Sequence, residues 1–149
     1  MMFRTHLAFG FLSALATVKF VNPQNPVIFV AIIVFSSLFP DLDHKDSFLG
    51  SRVPFSFIVR AFFGHRGFLH SIFPPLMLFI FFNNIYVLAI AIGYLSHVII
   101  DALTVRGINP FYPLYNLKLS GFVVTGSFFE FTIFILLILA NFIAFGWYT

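Results

Sequence analysis

The chain has no cysteine and very little charge. Only 9% of its 149 residues are Asp, Glu, Lys or Arg, where a soluble domain carries ~25%. The absence of cysteine excludes disulfides and thiolate metal sites together, so any metal must be held by His, Asp and Glu. So few charged side chains cannot cover a water-facing surface. What the chain does have is apolar: 60% of it is hydrophobic, 25 residues are Phe, and the mean hydropathy is +1.03. At this length the reading is one all-α domain embedded in a membrane.

A bilayer core of ~30 Å needs ~20 apolar residues in a helix. Five candidate spans, about 6–21, 26–39, 68–82, 85–105 and 127–147, are separated by "NPQNP", "PDLDHKDS", "NN" and "RGINPFYPLYNLKLSG". The first two are short. "MMFR" before an apolar run has the look of a leader, but His6 interrupts the run and "SALATVKF" is a poor cleavage site, so the segment is expected to stay as a helix. Residues 54–63, with Arg60 in a Phe-rich run, are too short to span and suit the interface.

With five spans, every histidine and every acid falls at the same membrane face. His6 opens the first span; Asp41, Asp43, His44 and Asp46 follow the second. His65 and His70 open the third, His97 and Asp101 lie toward the end of the fourth, and Glu130 is near the start of the fifth. Seven of the eight basic residues share that face, all but Lys19, which by the positive-inside rule makes it cytoplasmic. The expected location is the cell's inner membrane, multi-pass, with the N-terminus inside and the C-terminus outside.

Within "GYLSHVIID", His97 and Asp101 are four apart, so they project from one helix face and can offer an imidazole nitrogen and a carboxylate oxygen to one ion. A His–Asp bond gluing two helices would use the same spacing, but ionisable groups within spans cost at least ~2.5 kcal/mol at the centre and are seldom kept without function. "FPDLDH" adds Asp41 and Asp43, in what is also an ordinary solvated turn after a helix. In "GHRGFLHS", His65 and His70 are five apart and cannot share one regular helix face, but a loop followed by a helical turn would bring both to one centre. Arg66 between them supplies a planar cation suited to phosphate. Glu130 is a candidate base, and "SFFE" is equally a capping box at the start of the last span.

Several His and carboxylates without Cys suit zinc, with manganese or iron as alternatives. The candidate metal ligands are His6, Asp41, Asp43, His65, His70, His97 and Asp101, more than one tetrahedral ion needs. Glu130 and Arg66 are the candidate catalytic groups. At headgroup depth, the expected substrate is a small-molecule or lipid phosphoester hydrolysed by metal-activated water; the expected partners are membrane lipid and that substrate, and not nucleic acid.

"THLAFG", "FPDLDH", "GHRGFLHS", "GYLSHVIIDALTVRGINPFYPL" and "TGSFFE" together resemble the family of membrane-bound, metal-dependent hydrolases whose bacterial members include an inner-membrane protein of the SOS response. The likeness runs over about residues 5–130 and implies a multi-span metal-dependent hydrolase, with the His and Asp positions above, and Glu130, forming its polar core. The His/Asp pattern is also similar to that of zinc-dependent phospholipases C. Two other classes remain open: a metal-stabilised structural or sensor protein without turnover, and an ion transporter. The transporter is disfavoured because the polar residues stop at one end of the spans.

Overall fold

The computed structural model describes residues 1–43 and 67–147, with the side chains of all of these except Leu42 and Asp43. The interfacial segment expected at 54–63, and the expected site residues His65 and Arg66, lie outside the described residues, as does the side chain of Asp43.

Among the described residues the fold is all-helical, with five α-helices. Helix α1 (Phe3–Val21) ends at Asn22, which takes the left-handed conformation (φ 45°) that Asn tolerates better than most side chains. Helix α2 (Pro26–Ser36) begins on a proline whose missing N–H costs nothing in a first turn, with the Asn25 side chain accepting from Ile28 N. A 3₁₀ turn, Phe39–Asp43, follows it. Helix α4 (Ile85–Ala102) is capped by Asn84, which accepts from the N–H groups of Tyr86 and Val87. Ser127 caps α5 (Phe128–Gly146).

The third apolar run differs from the expected single span over 68–82. Phe68–His70 is a 3₁₀ turn, Ser71 is extended, and α3 covers only Phe73–Phe81. The reason is Pro74 and Pro75: neither can donate to the carbonyls of His70 and Ser71, so the prolines fall in a first turn and the helix cannot reach back to Phe68. Helix α4 likewise stops three residues short of the expected 105. The Thr104 hydroxyl bonds the Asp101 carbonyl at 2.7 Å, and the chain turns away to bridge Val123.

Helix α1 is central, packing on α2, α4 and α5; α2 also packs on α4, and α3 on α4. Ala14, Val18, Phe29, Ile33 and Ala89 form the core between α1, α2 and α4. Helices α1 and α5 run parallel, since Thr5 meets Glu130 at one end and Lys19 meets the Trp147 carbonyl at the other. Helices α4 and α5 are long and apolar enough to cross a membrane. Helix α5 buries only Glu130 and Asn141 and exposes Phe128, Leu136, Phe142 and Ile143, a surface suited to lipid rather than water. Helices α2 and α3, of 11 and 9 residues, are ~17 Å and ~14 Å long.

Candidate metal centre

Two glycines decide how closely the helices meet at the polar end. A Cβ on Gly93 of α4 would stand 2.2 Å from the Ile33 carbonyl oxygen and 2.1 Å from Ser36 Oγ of α2. A Cβ on Gly10 of α1 would stand 2.7 Å from Ser37 Oγ. Both helices therefore close on the last turn of α2. His6 lies one turn before Gly10, and His97 one turn after Gly93. The contact places their rings in parallel stack, centroids 3.8 Å apart and 6° from coplanar.

Around that stack the described residues gather five side chains able to hold a metal. His6 comes from α1, Asp41 from the turn after α2, His70 from the turn before α3, and His97 with Asp101 from α4. They form two groups, His6–Asp41–His97 and His70–His97–Asp101, with His97 in both. Asp101 presents Oδ1 to His6 Nε2 at 3.4 Å, and Oδ2 to His97 Nε2 at 3.7 Å and His70 Nε2 at 3.8 Å. Asp41 Oδ1 is 3.8 Å from His97 Nε2. Most of these separations are too long for hydrogen bonds, but two donors each ~2.1 Å from one tetrahedral ion stand ~3.4 Å apart.

The imidazole of His97 is fixed by its other nitrogen. Nδ1 lies 2.7 Å from the Ser37 carbonyl oxygen, which can only accept, so Nδ1 carries the proton and Nε2 keeps a lone pair. That Nε2 is buried and makes no hydrogen bond, and the same holds for both ring nitrogens of His6. An orphaned acceptor facing two carboxylates is an unfavourable arrangement unless a cation sits between them. Two carboxylates and three imidazoles balance a divalent charge, and the N/O donor set fits zinc, manganese or iron. The Met1 amino group contacts Asp101 Oδ1, so a positive charge already faces this carboxylate.

Of the residues expected from the sequence, the structure brings together His6, Asp41, His70, His97 and Asp101. Glu130 is in neither group; its carboxylate is engaged at the helix starts. Glu130 Oε2 accepts from Gly126 N at 2.6 Å, while Oε1 accepts from the Thr5 hydroxyl at 3.1 Å and from Met2 N. The carboxylate thus caps α5 and clamps the start of α1, and Ser127 Oγ accepts from Glu130 N at 3.3 Å as half of a capping box.

Sequence reasoning missed the residues that hold the ligands in place. Tyr94, 4% exposed, donates its hydroxyl to the Leu69 carbonyl at 2.5 Å and so pins the Phe68–His70 turn against α4. The far side of that turn is tied by Ile72 N donating to the Pro110 carbonyl at 3.0 Å. The signal for Tyr94 was present: a hydroxyl inside an apolar span, three residues before His97 and so on its side of the helix. For Ser37 there was no signal, because its contribution is a backbone carbonyl. Tyr94→Phe is expected to leave the fold intact and weaken metal affinity about 10-fold, the lower range for losing an outer-shell partner; isothermal titration with zinc on chelator-stripped protein would measure it. An unchanged affinity would mean that the Pro110 tie alone positions His70.

Residues 1–149 match the family model described as YdjM inner membrane protein. The chain is 34% identical over 135 residues to the uncharacterized protein YvsG of Bacillus subtilis (strain 168), a match covering 85% of this chain and 83% of that one. It is 38% identical over 92 residues to the inner membrane protein YdjM of Escherichia coli (strain K12), covering 54% of this chain but 46% of that relative. The inner membrane protein YdjM of Shigella flexneri matches to the same extent. No solved structure matches the chain.

Proposed function

The chain belongs to the YdjM inner membrane protein family, and on that premise we propose that it is a membrane-embedded, metal-dependent hydrolase of a phosphoester at headgroup depth. The observation that carries this reading is Nε2 of His97. It is buried and without a hydrogen bond, it faces the carboxylates of Asp41 and Asp101, and Ser37 holds the ring in the ligating tautomer. His6, His70 and Asp101 complete an enclosed donor set, and Asp41, with a side chain 17% exposed, forms its accessible edge. When bound, a divalent ion would supply a water of lowered pKa and a Lewis acid for a phosphoryl oxygen. Arg66, four residues before His70 and outside the described residues, would supply a cation for the substrate phosphate. Glu130 acts in this reading by holding the start of α1, and with it His6, at the centre.

In the proposed topology all five helices cross or enter the bilayer. Helices α1, α4 and α5 run its full depth, and α2 and α3 with their 3₁₀ turns reach part-way. The metal centre then faces the cytoplasm, with the N-terminus inside. The polar residues in the other halves of the helices argue against a transport path. Ser13 and Thr17 bond back to carbonyls of their own helix, and Asn141 donates to the Ala8 and Leu137 carbonyls.

The test is metal content by mass spectrometry on detergent-purified protein, followed by hydrolysis of phosphomonoester, phosphodiester and phospholipid substrates by the metal-loaded form. At least one equivalent of zinc, manganese or iron, with turnover of one substrate class, is the expected result. No metal after reconstitution would overturn the reading. Metal without turnover would favour a structural metal protein, which the near-complete burial of His6, His70, His97 and Asp101 supports as the second reading.

A further inference from the structure

A cavity of ≈ 530 Å³ opens between α1, α2 and α5, away from the metal centre. Its α1 wall is Arg4, Leu7, Ala8 and Phe11, a stripe on roughly the opposite face of that helix from His6 and Gly10. Val34 closes it from α2, and Phe134, Ile138 and Phe142 line it from α5. Phe134 and Phe145 both border it, so it runs ~16 Å along α5 at 1.5 Å per residue. The lining is apolar except at two points. Asn141 spends its amide on the Ala8 and Leu137 carbonyls, 2.9 and 2.8 Å away, tying α1 to α5. Arg4 stands at the end of the groove nearest the helix starts, its guanidinium 5.7 and 5.3 Å from the ring centres of Phe131 and Phe134.

We propose that this groove holds one acyl chain of an anionic glycerophospholipid, with the lipid phosphate on Arg4. The groove is long and apolar with a single cation, Arg4, at one end, which matches one chain below one phosphate. Helices that pair within membranes approach on small residues; here Ala8 is the one small side chain among bulky aromatic and branched ones, so a partner helix is the poorer fit. The lipid comes from the leaflet on the side of the metal centre, because α1 and α5 both begin there. A second apolar groove of ≈ 650 Å³ also carries one cation, Lys19. Lys19 donates to the Trp147 carbonyl at 3.0 Å, so its charge is engaged by the end of α5, and that groove provides an internal control.

The experiment is native mass spectrometry and thermal melting of detergent-purified protein titrated with phosphatidylglycerol, phosphatidylcholine or inorganic phosphate. The expected preference for phosphatidylglycerol over phosphatidylcholine is about five-fold, the effect of one basic residue at an anionic surface. Arg4→Gln should abolish the preference and leave metal content unchanged, while Lys19→Gln should retain it. Ile138→Trp should fill the groove and weaken both lipids. Equal binding of the two lipids by the wild type, or a preference that survives Arg4→Gln, would overturn the assignment. Inorganic phosphate stabilising the protein as strongly as the lipid would overturn it too, by showing an anion site without a chain.

Discussion

Replacing Asp101 by asparagine is expected to lower metal affinity by more than about 100-fold, the upper figure for losing only an outer-shell partner, while leaving the metal-free protein at least as stable. Both halves follow from the position of one carboxylate. Asp101 is 0% exposed, and its two oxygens face His6, His70 and His97. Ionised and buried, it costs several kcal/mol of desolvation, only partly returned by the Met1 amino group. A bound divalent ion would return the rest. The amide keeps the shape and removes the charge, so in excess chelator the variant should melt at or above the wild type. With metal at about 1,000 times the wild-type Kd, the wild type should gain about 4 kcal/mol and the variant no more than about 1.4 kcal/mol. Thermal melting of both proteins, with chelator and with zinc, gives the four values needed. A variant that melts well below the wild type in chelator would show that Asp101 serves as an ion-pair partner between helices, not as a ligand.

Gly93→Ala is expected to cost about 3 kcal/mol, the upper range for forcing an added methyl into a packed interface, and to abolish metal binding. The added carbon would lie 2.2 Å from a backbone oxygen, and no rotamer can relieve that. Helix α4 would have to back away from α2, separating His97 Nδ1 from Ser37. The control is Gly146→Ala at the end of α5, where an added Cβ meets nothing within 4 Å and Ala is the better helix former by up to about 1 kcal/mol. Melting temperature and zinc stoichiometry of the two variants, measured side by side, would decide it. Equal stability of the two would mean that the α2–α4 contact is soft.

Much of this protein was legible because the rules involved are local. The His97–Asp101 pair needed only the helical repeat, Ser127 only the preference of a hydroxyl for a helix start, and the membrane environment only composition. Pro74 and Pro75 marked a kink in the third span, yet a hydropathy window averages over them, and where the helix would start, at Phe73 rather than 68, was lost in the average. Glu130 was a choice between capping and chemistry, and what settled its bonding was the arrival of Thr5 from 125 positions away.

By itself, then, the sequence determined the all-helical class, the membrane setting and the shared helix face of His97 and Asp101, because each depends on residue type and short spacing. The tertiary structure alone decided the close approach of α1 and α4 to the end of α2. It also chose the carbonyl that orients His97 and made Tyr94 the brace for the His70 turn. Those outcomes rest on backbone atoms and on steric fits of a few tenths of an ångström, which every residue type shares and no one-dimensional pattern records.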